Sequence, residues 1–247
     1  MLLKRVFDVV LSVLGLVLAS PVLLPTMVAV WLQDFHSPFY IAPRVGRGGR
    51  AFRMVKLRSM VVNADKSGVD STGANDRRIT AIGSFVRRFK LDELTQLWNV
   101  LIGDMSLVGP RPNVKRETDL YTAVEQQLLS VQPGITDFAS IIFADEGEIL
   151  ADKPDPDIAY NQLVRPWKSR LGIFYIEHRG LLLDASLCAL TVVALINRAA
   201  ALAGVARILK TLGADGDLVE IAYRRKVLEP CPPPGATEVV VSRLAAR

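Results

Sequence analysis

The sequence predicts an α+β fold: a mostly helical domain at a membrane surface, with a short β-hairpin and amphipathic interfacial helices. Three observations predict it. An apolar run extends from Val6 to Gln33 with one charge, Asp8. The segment PFYIAPRVGRGGRAFRMVKLRSM, Pro38 to Met60, alternates around a glycine-rich turn. From Ile79 to Leu212 apolar residues recur mostly at helical spacing. The chain has 247 residues, enough for one domain with a sizeable core and appended elements.

Half the residues are hydrophobic, yet the formal net charge is +5. That combination points to an anionic partner: anionic lipid, a phosphorylated substrate or nucleic acid. Aromatic residues are few and none interleave with arginine in the manner of single-strand binders, which argues against nucleic acid. The two cysteines, Cys188 and Cys231, form no CxxC pair, so neither a zinc site nor a disulfide framework is indicated. With two histidines, His36 and His178, any metal is expected to be a hard ion held by oxygens.

The N-terminal run is too long for a signal peptide and long enough for a spanning helix of about 20 apolar residues. Ser20-Pro21 falls in its middle, with Pro25 one turn later. Proline removes a backbone donor, so the helix should kink or break there, and the Ser20 hydroxyl is a candidate partner for a freed carbonyl. Lys4 and Arg5 precede the run; Arg44, Arg47, Arg50, Arg53, Lys56 and Arg58 follow it. Positive flanks prefer the cytoplasm. A re-entrant helix-break-helix keeps both flanks inside and is favoured, with a straight span and a buried core helix left open.

Further along, Phe39-Tyr40-Ile41 and Ala51 to Leu57 read as strands joined by a turn at Gly46 to Gly49. The turn Arg47-Gly48-Gly49-Arg50 lacks the context of a nucleotide-binding fingerprint. Lys56 and Arg58 are candidates for a substrate phosphate. Val62 to Asn75 reads as a mobile loop. Ile82, Phe85, Val86 and Phe89 mark a helix that ends in Arg87 and Arg88, where the dipole favours cations. Val114 to Val131 is expected to be helical, and Ile135 to Phe143 to hold a short strand. Asp152 to Asp157 is a loop, Trp167 to Ile176 is helical, and Leu181 to Leu212 is one long helical pattern, interfacial or buried. After Gly213 the chain turns polar, and Cys231-Pro232-Pro233-Pro234-Gly235 reads as a linker into a short disordered end.

The chemistry concentrates in KLDELTQLWNVLIGDMSLVGPRP, Lys90 to Pro112. Leu91, Leu94, Leu97, Trp98 and Leu101 predict one helical face that Gly103 ends. Asp92 falls where an N-cap is expected, and capping is the commonest use of such an acid. The surroundings point elsewhere. Arg87 and Arg88 lie upstream, and Pro110 and Pro112 hold Arg111 at low entropy cost. An arginine held this way suits bidentate phosphate recognition. Adjacent helical residues face different ways, so Asp92 and Glu93 should have different roles. One carboxylate can attack phosphorus while the other holds magnesium against a diphosphate.

The chain resembles the bacterial sugar transferases of the monotopic phosphoglycosyl transferase superfamily. The pieces that carry the resemblance are KRVFDVVLSVLGLVLASP, FRMVKLRSM, NDRRITAIGSFVRRFKLDELTQLWNVLIGDMSLVGPRP and QPGIT at Gln132 to Thr136. The resemblance implies transfer of sugar 1-phosphate from a nucleotide diphosphate sugar, usually a UDP-sugar, to undecaprenyl phosphate. It implies Asp92 as the nucleophile of a phosphosugar-aspartyl intermediate, with UMP released, and Glu93 as the second acid of the dyad, linked to Mg2+ together with Asp92. Ser20 and Pro21 match the helix-breaking pair of a re-entrant membrane hairpin. Arg87 and Arg111 match basic residues near the dyad, and Arg58 joins them as a phosphate ligand.

After Thr136 the match weakens. Asp137 to Glu146 and Arg170 to Ile176 stand where many relatives carry other motifs, so contacts to nucleotide and sugar are expected to differ. The expected organisation is a re-entrant membrane helix over 1–36, a catalytic domain over 37–213 with a C-terminal interfacial helix, and a partly disordered tail over 214–247. The expected site is the cytoplasmic face of a bacterial inner membrane, at the first step of glycan or exopolysaccharide assembly. The expected partners are the nucleotide diphosphate sugar, undecaprenyl phosphate and the membrane. A homodimer is left open, and nucleic acid is not expected. The competing reading is a non-catalytic membrane-surface scaffold for a glycan assembly complex, with the Asp-Glu pair only a cap.

Overall fold

The computed structural model describes residues 2–64 and 76–242. The first helix, α1, runs from Leu2 to Leu32. It does not leave helical conformation at Ser20-Pro21, so the expected break is not seen. Pro21 cannot donate to the carbonyl four residues back, and the Ser20 hydroxyl takes that place at 2.8 Å from Val17 O.

One stripe of α1, Asp8, Ser12, Leu23, Thr26 and Val30, is buried along nearly its whole length. The other faces are apolar and exposed, from Leu3 and Val10 through Val17 and Leu18 to Val28 and Leu32. Both ends are fastened to the same domain. Asp8, the one charge in the apolar run, accepts from Ser106 Oγ at 2.9 Å and from the Leu107 amide at 3.1 Å. Lys4 pairs with Asp184 at 2.6 Å.

Strands β1 (Phe39–Val45) and β2 (Ala51–Leu57) form the expected antiparallel hairpin, with Val45 opposite Ala51. The tight turn between them holds Gly48 and Gly49 at positive φ. The loop expected over Val62 to Asn75 falls largely on residues 65–75, outside the described residues. Helix α2 (Ala81–Arg88) is capped by Thr80, whose side chain accepts from the Gly83 amide.

The helix expected across Leu91 to Leu101 divides into α3 (Leu91–Leu94) and α4 (Leu97–Ile102). Trp98 turns outward, 54 % exposed, rather than joining the buried face. Gly103, at φ 93°, ends α4 as the pattern predicts, and Arg5 donates to the carbonyls of Val100 and of Leu101, the latter at 2.6 Å. Strand β3 (Ser106–Val108) pairs in parallel with β4 (Gly134–Thr136).

Between those strands the expected helix over Val114 to Val131 is two short pieces, α5 (Lys115–Thr118) and a 3-10 turn (Glu125–Ser130). Ile135 to Phe143 holds β4 and then α6 (Phe138–Ile142). Next come α7 (Glu146–Leu150), α8 (Pro156–Ala159) and α9 (Arg165–His178). The long pattern from Leu181 folds back at Asn197 into α10 (Leu181–Ile196) and α11 (Arg198–Thr211). Val205, Ala206 and Leu209 of α11 are fully buried, whereas Leu195 and Ile196 at the end of α10 are exposed.

The main core gathers residues of α4, β3, α6 and α9 through α11. A smaller core joins Leu23 and Val30 of α1 to Leu57, Val86 and Leu91, and so seats the start of α3 against the hairpin. The segment after Gly213 is not a free linker. Gly216–Tyr223 forms α12, with Leu218 and Ala222 buried. The proline run then lies on the domain: Cys231 N bonds Gln162 O at 3.1 Å, and Arg170 reaches Pro232 O at 2.8 Å. The end expected to be disordered falls in part on residues 243–247, outside the described residues.

Candidate active site

The dyad sits on α3, a single turn pinned to the hairpin. Asn99 accepts from the Val55 amide at 2.9 Å and donates to Arg53 O at 2.7 Å, while Thr95 Oγ1 lies 3.0 Å from Val55 O. These bonds fix α3 and α4 against β2 and bring Lys56 beside the dyad. Its amine feels both Asp92 and Glu93.

Asp92 is not the N-cap. Lys90 occupies that position, in left-handed backbone at φ 55°. The Asp92 Oδ1 is buried and has no hydrogen-bond partner among the described residues. A buried carboxylate oxygen without a donor is costly, and such exceptions concentrate at functional sites. Burial and then the neighbouring Glu93 push the Asp92 carboxyl above the usual range, against the pull of Lys56, Arg111 and Lys90.

Glu93, by contrast, is paired. Arg111 Nη2 donates to its Oε1 at 2.6 Å. Burial alone would raise the Glu93 carboxyl, but the charge and hydrogen bond of Arg111, with Lys56 and Lys90, hold it at about 2. Glu93 in turn is the main cause that raises the Arg111 guanidinium. Burial and the charge of Arg111 lower the Lys56 amine to about 8. The two acids therefore differ in environment, as different roles require.

Arg111 is placed by a close backbone approach. A Cβ on Gly134 would lie 2.1 Å from the Gly109 amide nitrogen, so only glycine lets β4 come this near. The Gly134 amide then donates to Pro110 O at 3.0 Å, and Gly109 N to Thr136 O at 3.1 Å. The two sequence pieces GPRP and QPGIT are thus one structural unit that aims Arg111 at Glu93.

One of the expected phosphate ligands, Arg58, is engaged elsewhere. Arg58 is buried and holds the end of α1: it pairs with Asp34, reaching Oδ1 at 2.6 Å, and donates to Ser37 O at 2.9 Å. Its donors are committed to a structural clamp, and Lys56, two residues earlier on the strand, takes its place near the dyad. Arg87 ends α2 and makes no hydrogen bond or ion pair with Asp92 or Glu93 among the described residues; Lys90 supplies the nearby charge from that side.

The structure also adds a group from the stretch where the motif pattern departs. Glu146 contributes charge felt by Arg111 and ion-pairs with Lys168, which lies 5.4 Å from the centre of the Tyr160 ring. Glu146 closes the stretch from Asp137 where the motif pattern departs, whereas Tyr160 and Lys168 lie outside it and carry no local signal in the sequence.

Among the described residues no group of three or more histidine, cysteine or acidic side chains could hold a metal ion. Magnesium needs less, since it is held through one or two carboxylates plus substrate phosphates. The bare Asp92 oxygen and the Glu93 carboxylate, with only Oε1 bonded to Arg111, fit that donor set.

Residues 1–198 match the family described as Bacterial sugar transferase. The chain is 33 % identical over 176 residues to the UDP-N-acetylgalactosamine-undecaprenyl-phosphate N-acetylgalactosaminephosphotransferase of Aeromonas hydrophila, covering 69 % of this chain and 42 % of that one. It is 37 % identical over 148 residues to the exopolysaccharide production protein ExoY of Sinorhizobium fredii, covering 54 % and 66 % respectively. It is 42 % identical over 143 residues to the UDP-glucose:undecaprenyl-phosphate glucose-1-phosphate transferase of Escherichia coli (strain K12), covering 57 % and 31 %. The matched segments thus span from about a third to about two thirds of these relatives' own lengths. The match takes in α1, the hairpin, the dyad and both halves of the unit that aims Arg111, and on that basis the chain belongs to the bacterial sugar transferase family.

Proposed function

We propose that this chain transfers sugar 1-phosphate from a UDP-sugar to undecaprenyl phosphate, with Asp92 as the nucleophile, and so starts a lipid-linked glycan. The observation that carries the reading is the contrast within the dyad. Asp92 keeps a buried oxygen with no hydrogen bond to break before attack, while Glu93 is held ionised by Arg111. Asp92 does not stand at the cap position on which a scaffold reading depends; Lys90 does, and its side chain makes no cap bond.

The chemistry follows from these positions. The Asp92 carboxylate attacks the phosphorus that bears the sugar. The bond from that phosphorus to the bridging oxygen breaks, and its electron pair leaves with UMP. An oxygen of the lipid phosphate then attacks the same phosphorus. The acyl–phosphate P–O bond breaks, and the Asp92 carboxylate is restored with its electron pair. Arg111 and Lys56 offset the repulsion between a carboxylate and a diphosphate. A bound Mg2+, held by Asp92 and Glu93, would supply further neutralisation of the diphosphate.

The membrane reading rests on α1. A straight helix of 31 residues is about 46 Å long, more than the roughly 30 Å of a hydrocarbon core. Yet Asp8 near one end and Val30 near the other are both buried against one domain. That supports both ends of α1 lying at one leaflet, the cytoplasmic one given the basic flanks, with its exposed apolar faces in lipid. The dyad would then lie where a lipid phosphate is held by its chain.

The test is UMP release from a panel of UDP-sugars, with undecaprenyl phosphate and magnesium present. At least one sugar should support multiple-turnover release that depends on both lipid and metal. No release from any of them would overturn the proposal.

A further inference from the structure

Away from the dyad, two arginines share one carboxylate. Asp145 Oδ1 lies 2.8 Å from Arg198 Nη2, and its Oδ2 accepts from Arg224 Nη2 at 3.2 Å. The charges do not balance: two guanidiniums face one acid. The donors do not balance either. The Nε of Arg198 and both Nε and Nη1 of Arg224 are buried without a hydrogen-bond partner among the described residues, three donors against one acceptor in the same state, Asp145 Oδ1, which meets Arg198 as an ion pair but not in hydrogen-bond geometry. Buried charged donors without acceptors are rare because they lose water and gain nothing.

The fork is built rather than incidental. Arg224 is only 13 % exposed, lies 5.4 Å from the centre of the Phe143 ring, and is reached through left-handed backbone at φ 52° that ends α12. Arg198 also donates to Ile142 O at 3.3 Å, which sets its plane. Two arginines oriented this way suit the paired oxygens of a phosphate. The neighbourhood says what the phosphate belongs to. Leu195 and Ile196, 65 % and 86 % exposed, end α10 immediately before Asn197 and Arg198. An apolar helix end beside a basic fork matches an amphiphile, with its chain against α10 and its headgroup in the fork.

We propose that Arg198 and Arg224 form a binding site for the phosphate of an anionic lipid, separate from the dyad. The site does not depend on the transfer chemistry: Arg198, Arg224 and Asp145 pair with one another and not with Asp92, Glu93 or Arg111.

The test uses the full chain, purified in detergent with mixed phosphatidylglycerol and phosphatidylcholine, and native mass spectrometry to count retained lipid. Wild type should retain phosphatidylglycerol preferentially. Arg198→Gln and Arg224→Gln should each weaken that retention about tenfold or more, as loss of a charge-assisted pair does. Asp145→Asn gives the opposite sign: removing the competing carboxylate should strengthen retention, so the test stands even if Arg224→Gln fails to fold. Equal retention of the two lipids by wild type would overturn the proposal, as would weaker retention in Asp145→Asn. Displacement of the lipid by inorganic phosphate alone would assign the fork to a soluble anion instead.

Discussion

The Arg111 guanidinium lies 2.6 Å from Glu93, not from Asp92, although the two acids are adjacent in sequence. One pairing therefore splits a dyad of like residues into an ionised, neutralised member and a desolvated, unbonded one. This split underlies the expected outcomes below.

Arg111→Lys tests the pairing directly. Lysine keeps the charge but loses the planar fork, and its shorter head cannot hold Glu93 and a phosphate together. UMP release should fall roughly tenfold or more. The fold should survive, because the backbone bonds of Gly109 and Pro110 do not involve the side chain. Turnover at the wild-type rate would show that Arg111 only closes a turn.

Lys56 sets an alkaline limit. Its amine titrates at about 8, so it is cationic below that pH and loses its proton as pH rises through it. If the cation helps hold the diphosphate, kcat/KM should decline above about pH 8. Lys56→Arg, charged throughout, should keep that limb flat even where its absolute activity is lower. An alkaline limb of the same shape in both proteins would remove Lys56 from the site.

The arrangement of α1 predicts a one-sided topology. In a chain with Cys188 and Cys231 replaced, a single cysteine added ahead of Leu2 and one at Arg50 should both label from the cytoplasmic side of the membrane and neither from outside. Labelling from opposite sides would require a spanning helix. That outcome would also require Asp8 and Asp184 to give up their bonds to the domain and to Lys4.

Much of this molecule can be read locally. The alternation of Ala51 to Leu57, the stop at Gly103 and the arginine held between Pro110 and Pro112 are each properties of a few adjacent residues, and each holds in three dimensions. What local pattern could not supply is partnership at long range. Lys56 near the end of the strand and Arg58 just after it look equivalent in sequence, yet Asp34, brought close by the fold of α1, claims Arg58 and leaves Lys56 beside the dyad. Asp92 resembles a cap until Lys90 is found in left-handed backbone. The long patterns over Val114 to Val131 and Leu181 to Leu212 carried the right apolar residues but not the bends at Asp119 to Val124 and at Asn197. Those bends form because the segments pack back on the domain. The proline run after Tyr223 has the composition of a linker, but its carbonyls meet Arg170 and Thr122.

The most direct test of the central claim is the mass of the enzyme during half of the reaction. Full-length protein given its UDP-sugar and magnesium, but no lipid acceptor, should become heavier by one sugar phosphate. Peptide mapping should place the added mass on Asp92, and Asp92→Asn should gain none while melting at close to the wild-type temperature. An adduct on Glu93, or continued turnover by Asp92→Asn, would contradict the account.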